Sequence, residues 1–139
     1  KKGKTDLKYN GFATNSNGTY YVNNGKITFK YNELVYYNKK WVAVVNSKLH
    51  NTYTGFLSNK NGTYYVEKGI VTFKRTGLMY YNNKWVAVIN SKINNSYTGL
   101  LSNSNGTYLV ENGNISFKYN GIYKDKTGKV YTIKNSKVI

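Results

Sequence analysis

The stretch from Tyr53 to Asn95 reads YTGFLSNKNGTYYVEKGIVTFKRTGLMYYNNKWVAVINSKINN, and related copies of it make up most of the chain. Its opening motif, YTGF, returns as YNGF at Tyr9 and as YTGL at Tyr97, so the copies recur every 44 residues. Within each copy the pattern restarts more weakly, at Tyr31, Arg75 and Tyr119. Because a fixed period is typical of repeat architectures, the sequence predicts six related units of about 22 residues.

These units form a single predicted repeat region, residues 9–139. The unit boundaries lie at residues 9–30, 31–52, 53–74, 75–96, 97–118 and 119–139. Residues 1–8 match no unit well, and we interpret them as a linker or as the frayed end of a preceding unit. Since the chain starts at Lys1 without a methionine, we expect it to be part of a larger polypeptide.

Turn and strand signals in the units predict an all-β fold. Asn-Gly pairs at 17–18, 61–62 and 105–106 stand directly before TYYV or TYLV. Asn-Gly between β-prone runs is the strongest short-range hairpin signal. Units two and four have their turns at Asn38-Lys39 and Asn82-Asn83, ahead of WVAVV and WVAVI. Each unit is therefore expected to contain a β-hairpin.

The strand WVAVI, residues 85–89, is apolar on both faces, as is its counterpart WVAVV. A sheet with one solvated face alternates apolar and polar residues, so these hairpins need cover on both sides. Stacking each hairpin between its neighbours supplies that cover, which predicts a β-hairpin solenoid. Six hairpins in three copies also fit a β-trefoil, which we keep as the alternative. The shared subperiod favours the solenoid, because the barrel and cap hairpins of a trefoil have different surroundings.

The strong positive charge predicts an anionic partner. The chain has 21 Lys and Arg against 5 Asp and Glu, a formal net charge of +16. Many lysines recur in register, so that stacking would align them in basic columns. The candidate polyanion-binding residues are Lys30, Lys40, Lys48, Lys74, Lys84, Lys92 and Lys118. One exposed ion pair contributes only about 0 to 1 kcal/mol, so binding would depend on many contacts along a polymer.

One repeat motif resembles a known family. The order TGF (54–56), NGTYYV (61–66) and Gly69 is similar to the cell-wall-binding repeats of Gram-positive bacteria. This family includes choline-binding modules, glucan-binding repeats and the repetitive oligopeptides of clostridial toxins. The resemblance covers units one to five well and unit six loosely. It implies stacked β-hairpins with ligands held between successive hairpins by aromatic side chains, here Phe12, Tyr20, Trp41, Phe56, Tyr64, Trp85 and Tyr108.

Two tryptophan positions of the choline-binding members differ in this chain. The first is filled by Phe12, Leu34, Phe56, Leu78, Leu100 and Ile122. The second is filled by Tyr20, Trp41, Tyr64, Trp85, Tyr108 and Val130. Cation–π attraction is strongest on Trp, so we expect these substitutions to weaken binding of a quaternary ammonium group. The retained scaffold and the aligned lysines favour an anionic ligand instead.

Catalytic and metal-binding patterns are missing from the sequence. The acidic residues are dispersed, His50 is the only histidine, and the chain has no cysteine. We therefore expect no enzymatic activity, no metal and no cofactor. No apolar run reaches the roughly 18 residues that a membrane-spanning helix needs.

The leading hypothesis is a non-catalytic module that anchors a secreted or cell-surface protein to a bacterial wall polymer or glycan, with an anionic polymer such as a teichoic acid preferred. The second hypothesis is an adhesion or toxin module that binds a host glycan or protein through exposed tyrosines. A third, favoured only by charge and aromatic content, is a single-stranded nucleic-acid binder.

Overall fold

A computed structural model describes residues 8–139, which contain no helix. The segment predicted to be a linker or frayed end therefore lies, except for Lys8, outside the described residues. The strands in chain order are β1 (Gly11–Asn15), β2 (Gly18–Val22), β3 (Glu33–Tyr37), β4 (Lys40–Val45), β5 (Lys48–Leu49), β6 (Gly55–Asn59), β7 (Gly62–Val66), β8 (Gly77–Tyr81), β9 (Lys84–Ile89), β10 (Lys92–Ile93), β11 (Gly99–Asn103), β12 (Gly106–Val110), β13 (Gly121–Lys124), β14 (Val130–Lys134) and β15 (Lys137–Val138).

The described residues divide into two compact parts, 8–72 and Phe73–Ile139. The N-terminal part contains an antiparallel sheet in the order β1-β2-β5-β4-β3, followed by the hairpin β6–β7. The C-terminal part contains the antiparallel strands β8, β9 and β10, and a second sheet in the order β11-β12-β15-β14-β13. The five-stranded sheet that lies within each part is open, with β1 and β3 or β11 and β13 as its edge strands, whereas a closed barrel has no edge strand. The all-β, stacked-hairpin fold is therefore confirmed, and the β-trefoil alternative is wrong.

The turns of the second and fourth hairpins consist of the residues predicted for them, whereas those of the odd-numbered hairpins are displaced. Asn38 and Lys39 have φ angles of 53° and 65°, as a type I′ turn requires. In the first hairpin the turn consists of Ser16 and Asn17, because Asn15 pairs with Gly18. The side chain of Asn15 accepts a hydrogen bond of 2.7 Å from the Asn17 amide, which stabilises this earlier turn.

A buried serine joins the two hairpins of each sheet. The Ser47 amide donates to the Tyr31 carbonyl at 2.7 Å, and the Ser47 hydroxyl accepts from the Tyr31 amide at 3.1 Å. The Ser47 carbonyl in turn accepts from the Tyr21 amide on β2 at 2.7 Å. The same fully buried position recurs at Ser91 and Ser136. This serine therefore holds the segment before the first strand of the even-numbered hairpin next to the end of its second strand.

A second set of backbone hydrogen bonds joins one repeat to the next. In the N-terminal part, the Ala43 amide on β4 donates to the Gly69 carbonyl at 2.9 Å, and the Val71 amide donates to the Trp41 carbonyl at 3.1 Å. The C-terminal part has the equivalent bonds from Ala87 to Gly113 at 2.9 Å and from Ile115 to Trp85 at 3.1 Å. The segments after the third and fifth hairpins thus lie along the central strand of the preceding hairpin.

Apolar clusters lie where these backbone bonds form. The cluster of the N-terminal part consists of Leu34, Ala43, Val66 and Val71. The cluster of the C-terminal part consists of Leu78, Ala87, Val110 and Ile115. On β9, Val86, Ala87 and Val88 are all buried, so both faces of this strand are covered as its sequence predicts.

Close packing around Gly113 explains why a glycine stands there. A Cβ atom on Gly113 would lie 2.6 Å from the Cα of Asn95, and Gly113 has a φ of 89°. Gly69 meets the backbone of Asn51 in the same way, at 2.8 Å. Gly128 has a similar φ of 90°, but the nearest atom to its Cβ position is 4.0 Å away.

These two glycines make a matched pair for mutagenesis. Gly128→Ala should lower the free energy of unfolding by about 1 kcal/mol, because only the left-handed backbone is strained. Gly113→Ala should lower it by about 3 kcal/mol, since the clash with the Asn95 backbone adds an overpacking cost of ~2 kcal/mol. Urea denaturation of both variants measures the difference. Equal losses would show that Asn95 does not constrain Gly113.

The packing of the Tyr31 phenol makes the stability of the fold depend on pH. Its ring stacks on that of Tyr21 with centroids 4.6 Å apart. Burial raises the pKa of Tyr31 well above its ordinary value, and a hydrogen bond with Glu33 raises it further. The folded state therefore holds the phenolic proton more tightly than the unfolded state does, so the associated stability is present below pH 10 and is lost as the pH rises beyond it.

Replacing this phenol should flatten the alkaline part of the stability profile. We expect the urea midpoint of Tyr31→Phe to fall less between pH 8 and pH 11 than that of the unmodified chain. Tyr80→Phe, at a position 57% exposed, is the control and should keep the full decrease. An identical decrease in all three proteins would contradict the assignment to Tyr31.

Candidate functional site

Aromatic side chains of successive hairpins form a pocket in the C-terminal part. Trp85 on β9 and Tyr108 on β12 are half-buried, and Phe117 follows β12. Together with Ile115 they line a cavity of about 90 Å³. We call this cavity the Trp85 pocket. The amide side chains of Asn103 and Asn105 complete its lining.

The backbone places the third ring of the Trp85 pocket. The hydrogen bond from the Ile115 amide to the Trp85 carbonyl holds the segment that carries Phe117 against β9. Phe117 then adopts a φ of 62° and its ring meets that of Tyr108 edge-on, with centroids 5.9 Å apart. A bulky residue with positive φ is unusual, and such conformations cluster at ligand sites. Phe29 and Phe73 share this conformation, with φ of 61° and 62°.

The N-terminal part contains corresponding aromatic contacts. Trp41 and Tyr64 both pack against the apolar cluster that includes Val71. Tyr20 and Phe29 meet edge-on with centroids 5.9 Å apart, as Tyr108 and Phe117 do. The aromatic pairing is therefore a property of the repeat.

Two of the predicted ligand-binding aromatics lie elsewhere. Phe12 packs against Tyr21 and Tyr37, with centroid distances of 5.5 and 4.2 Å. Phe56 packs against Tyr65 at 5.2 Å. Since neighbouring residues of a strand face opposite sides, Phe12 and Tyr20 belong to different faces of the sheet. The structure thus places Trp41 and Tyr64 against one apolar cluster and brings Trp85 and Tyr108 into one pocket. Phe12 and Tyr20 are not brought together.

All seven candidate polyanion-binding lysines are exposed. Lys40 and Lys84 open β4 and β9, each directly after a tight turn. Lys30, Lys74 and Lys118 each follow one of the phenylalanines with positive φ. Lys48 and Lys92 begin the short strands β5 and β10.

Lys48 also contacts an aromatic ring. It lies directly across from Tyr20 in the pairing of β5 with β2, and its Nζ is 5.8 Å from the Tyr20 ring centroid. Lys137 has the same position over Tyr108, also at 5.8 Å. These distances are within the range of cation–π attraction. The lysines that follow the buried Ser47 and Ser136 are therefore positioned beside aromatic residues.

Sequence reasoning missed the third ring, Phe117, and its equivalent, Phe29. The sequence feature that could have indicated them is the phenylalanine that recurs at the repeat period in ITFK, VTFK and ISFK. It also missed the buried serines, because Asn-Ser-Lys was interpreted through its lysine alone. Residues 8–139 contain no group of three or more His, Asp or Glu side chains arranged to hold a metal ion. They also contain no helix long and apolar enough to cross a membrane.

A family model described as the choline-binding repeat matches residues 8–28, 52–72 and 96–115. Each match covers one of the odd-numbered hairpins, which carry Tyr20, Tyr64 and Tyr108. No curated protein sequence matches the chain.

Several solved structures are similar in fold. Choline binding protein F from Streptococcus pneumoniae is 19% identical, with a TM-score of 0.34, over 94% of this chain and 42% of that chain. CbpJ from Streptococcus pneumoniae is 14% identical, with a TM-score of 0.32, over 94% and 48%. Alternansucrase in complex with isomaltotriose is 14% identical, with a TM-score of 0.43, over 91% and 10%. The chain thus spans less than half the length of each.

The three matched segments recur at the period of the stacked hairpins and include the tyrosines that pair with Phe29 and Phe117. Repeats of this kind are binding modules. The chain therefore contains three copies of a segment similar to the choline-binding repeat of cell-wall-binding β-hairpin proteins.

Proposed function

We propose that the chain is a non-catalytic module that holds a larger secreted protein on a teichoic-acid-like polymer of the bacterial cell wall. The Trp85 pocket carries this proposal, because three aromatic rings from two successive hairpins converge on it. A polymer that carries both quaternary ammonium groups and phosphates suits the molecule best.

The aromatic walls favour the quaternary ammonium group. Indole and phenol rings attract a cation by about 0.5 to 2 kcal/mol per ring, and none of the described residues that line the pocket is cationic. Phe117 supplies a third ring. It takes the place of the first tryptophan of the choline-binding members, whose position is occupied by Leu78 in this hairpin. Leu78 is instead buried in the apolar cluster.

The lysines favour the phosphates of the same polymer. A chain of net charge +16 repels a free cation at long range but attracts a polymer whose negative charges outnumber its ammonium groups. Individual contacts of an exposed lysine are weak, at about 0 to 1 kcal/mol. Three repeats that bind one polymer raise the overall affinity by effective concentration, without any stronger single site.

Choline should bind at the Trp85 pocket and change the fluorescence of Trp85. The chain has only two tryptophans, so Trp41→Phe leaves Trp85 as the single reporter. We expect a saturable change on titration with choline chloride. Adding Phe117→Ala should weaken binding by roughly 2- to 30-fold, the equivalent of one cation–π contact.

Two controls accompany this titration. Sodium chloride at equal ionic strength should leave the emission unchanged, and Tyr36→Ala, at an exposed position of the N-terminal part, should bind choline as before. Unaltered choline binding by Phe117→Ala would contradict the assignment of the pocket.

Binding to whole cell walls tests the polymer. The chain should sediment with purified Gram-positive walls, and chemical removal of the teichoic acid should abolish most of the retention. Trp85→Ala should also reduce retention, because the aromatic and charged contacts act on the same polymer. Equal retention on walls without teichoic acid would overturn the proposal and favour a glycan ligand.

A further inference from the structure

A second, more polar pocket lies beside the aromatic pair of the first repeat. Tyr20 and Phe29 line one side of it, and Val45 and Leu49 supply aliphatic surface. Its volume is about 600 Å³, within the range of roughly 300 to 1,000 Å³ that is typical of small-ligand sites. Lys48 completes this part of the lining, and we call the cavity the Lys48 pocket.

A loop closes the other side of the Lys48 pocket with His50, Asn51 and Thr52. The His50 amide donates to the Ala43 carbonyl at 3.0 Å, which fixes the start of the loop on β4. Behind the loop, Gly69 packs so closely on Asn51 that a Cβ atom there would lie 2.8 Å from the Asn51 Cα. The polar groups of the loop are thus held in place before any ligand arrives.

The second repeat contains the same arrangement. Ile89, Lys92, Ile93, Asn94 and Asn95 line a cavity of about 290 Å³. Its loop is fixed by the hydrogen bond of 2.9 Å from Asn94 to Ala87 and by the close contact of Gly113 with Asn95. A lysine, an aliphatic floor and a fixed amide-bearing loop therefore recur together.

The chemistry of the lining indicates the ligand. None of the described residues that line either cavity is acidic, so the lysine ammonium favours an anion. Amide and hydroxyl side chains on the loop suit hydroxyl groups, while Val45 and Leu49 suit a short carbon chain. Lys48 is itself held in place, with its stem across Gly18 and its Nζ over the Tyr20 ring.

We propose that the Lys48 pocket binds a phosphate ester of a polyol, with Lys48 contacting the phosphate and the loop at 50–52 contacting the hydroxyl groups. This site rests on the proposed function, because it receives the backbone of the wall polymer. It is a different cavity from the Trp85 pocket, although its aromatic pair, Tyr20 and Phe29, corresponds by the repeat to Tyr108 and Phe117 of that pocket.

Glycerol 3-phosphate serves as the probe, with amide chemical shifts of the full chain as the readout. Shifts should concentrate at residues 46–52, and Lys48→Met should weaken this binding at least fivefold while it keeps the aliphatic stem over Gly18. Lys26→Met removes the same charge from another exposed position and should leave the affinity within twofold. Glycerol without phosphate should cause no saturable shift.

Equal weakening by Lys26→Met and Lys48→Met, or shifts spread over all exposed lysines, would overturn the proposal and indicate general charge attraction only. Tight binding of glycerol alone would also overturn it. Loss of this site would leave retention on cell walls through the Trp85 pocket, whereas failure of the proposed function would abolish retention on walls for the unmodified chain. The two outcomes are therefore distinguishable.

Discussion

The hydrogen bonds that the central strands β4 and β9 make on both edges are the constraint on which the rest of the structure depends. One edge of each strand pairs with its own hairpin, and the other pairs first with β5 or β10 and then with the segment after the next hairpin. Since buried backbone groups must be paired, this segment cannot detach without leaving unsatisfied amides. Its position brings Val71 and Ile115 into the apolar clusters and Phe117 to the Trp85 pocket.

Much of the fold could be predicted from sequence because its signals are local. The period of the copies, the asparagine turns and the two-faced strand at Trp85 all depend on neighbouring residues. The bonds of Ser47 with Tyr31 and Tyr21 join positions far apart in sequence, and a serine between asparagine and lysine has no pattern that indicates burial. The turn lies at Ser16-Asn17, one residue before the predicted Asn17-Gly18, because the Asn15 side chain accepts a hydrogen bond from the Asn17 amide.

The candidate site was predicted less completely than the fold, because part of it depends on contacts between residues that are distant in sequence. Trp85 and Tyr108 occupy alternating strand positions and could be assigned from the repeat. Phe117 lies outside the strands in a backbone conformation that phenylalanine rarely adopts, so strand periodicity says nothing about its direction. Lys48 was interpreted as a member of a charged column, and its contact with Tyr20 emerges only from the register of β2 with β5.

The alternation of glycine and serine at one turn position has a consequence for protein engineering. Gly25, Gly69 and Gly113 stand where the even-numbered hairpins have Ser47, Ser91 and Ser136. A serine side chain has no room at Gly69, next to the Asn51 backbone, and a glycine at Ser91 would lose the hydroxyl that accepts from Arg75. The two hairpins are therefore not interchangeable, and the smallest cassette for lengthening or shuffling such an array is the pair.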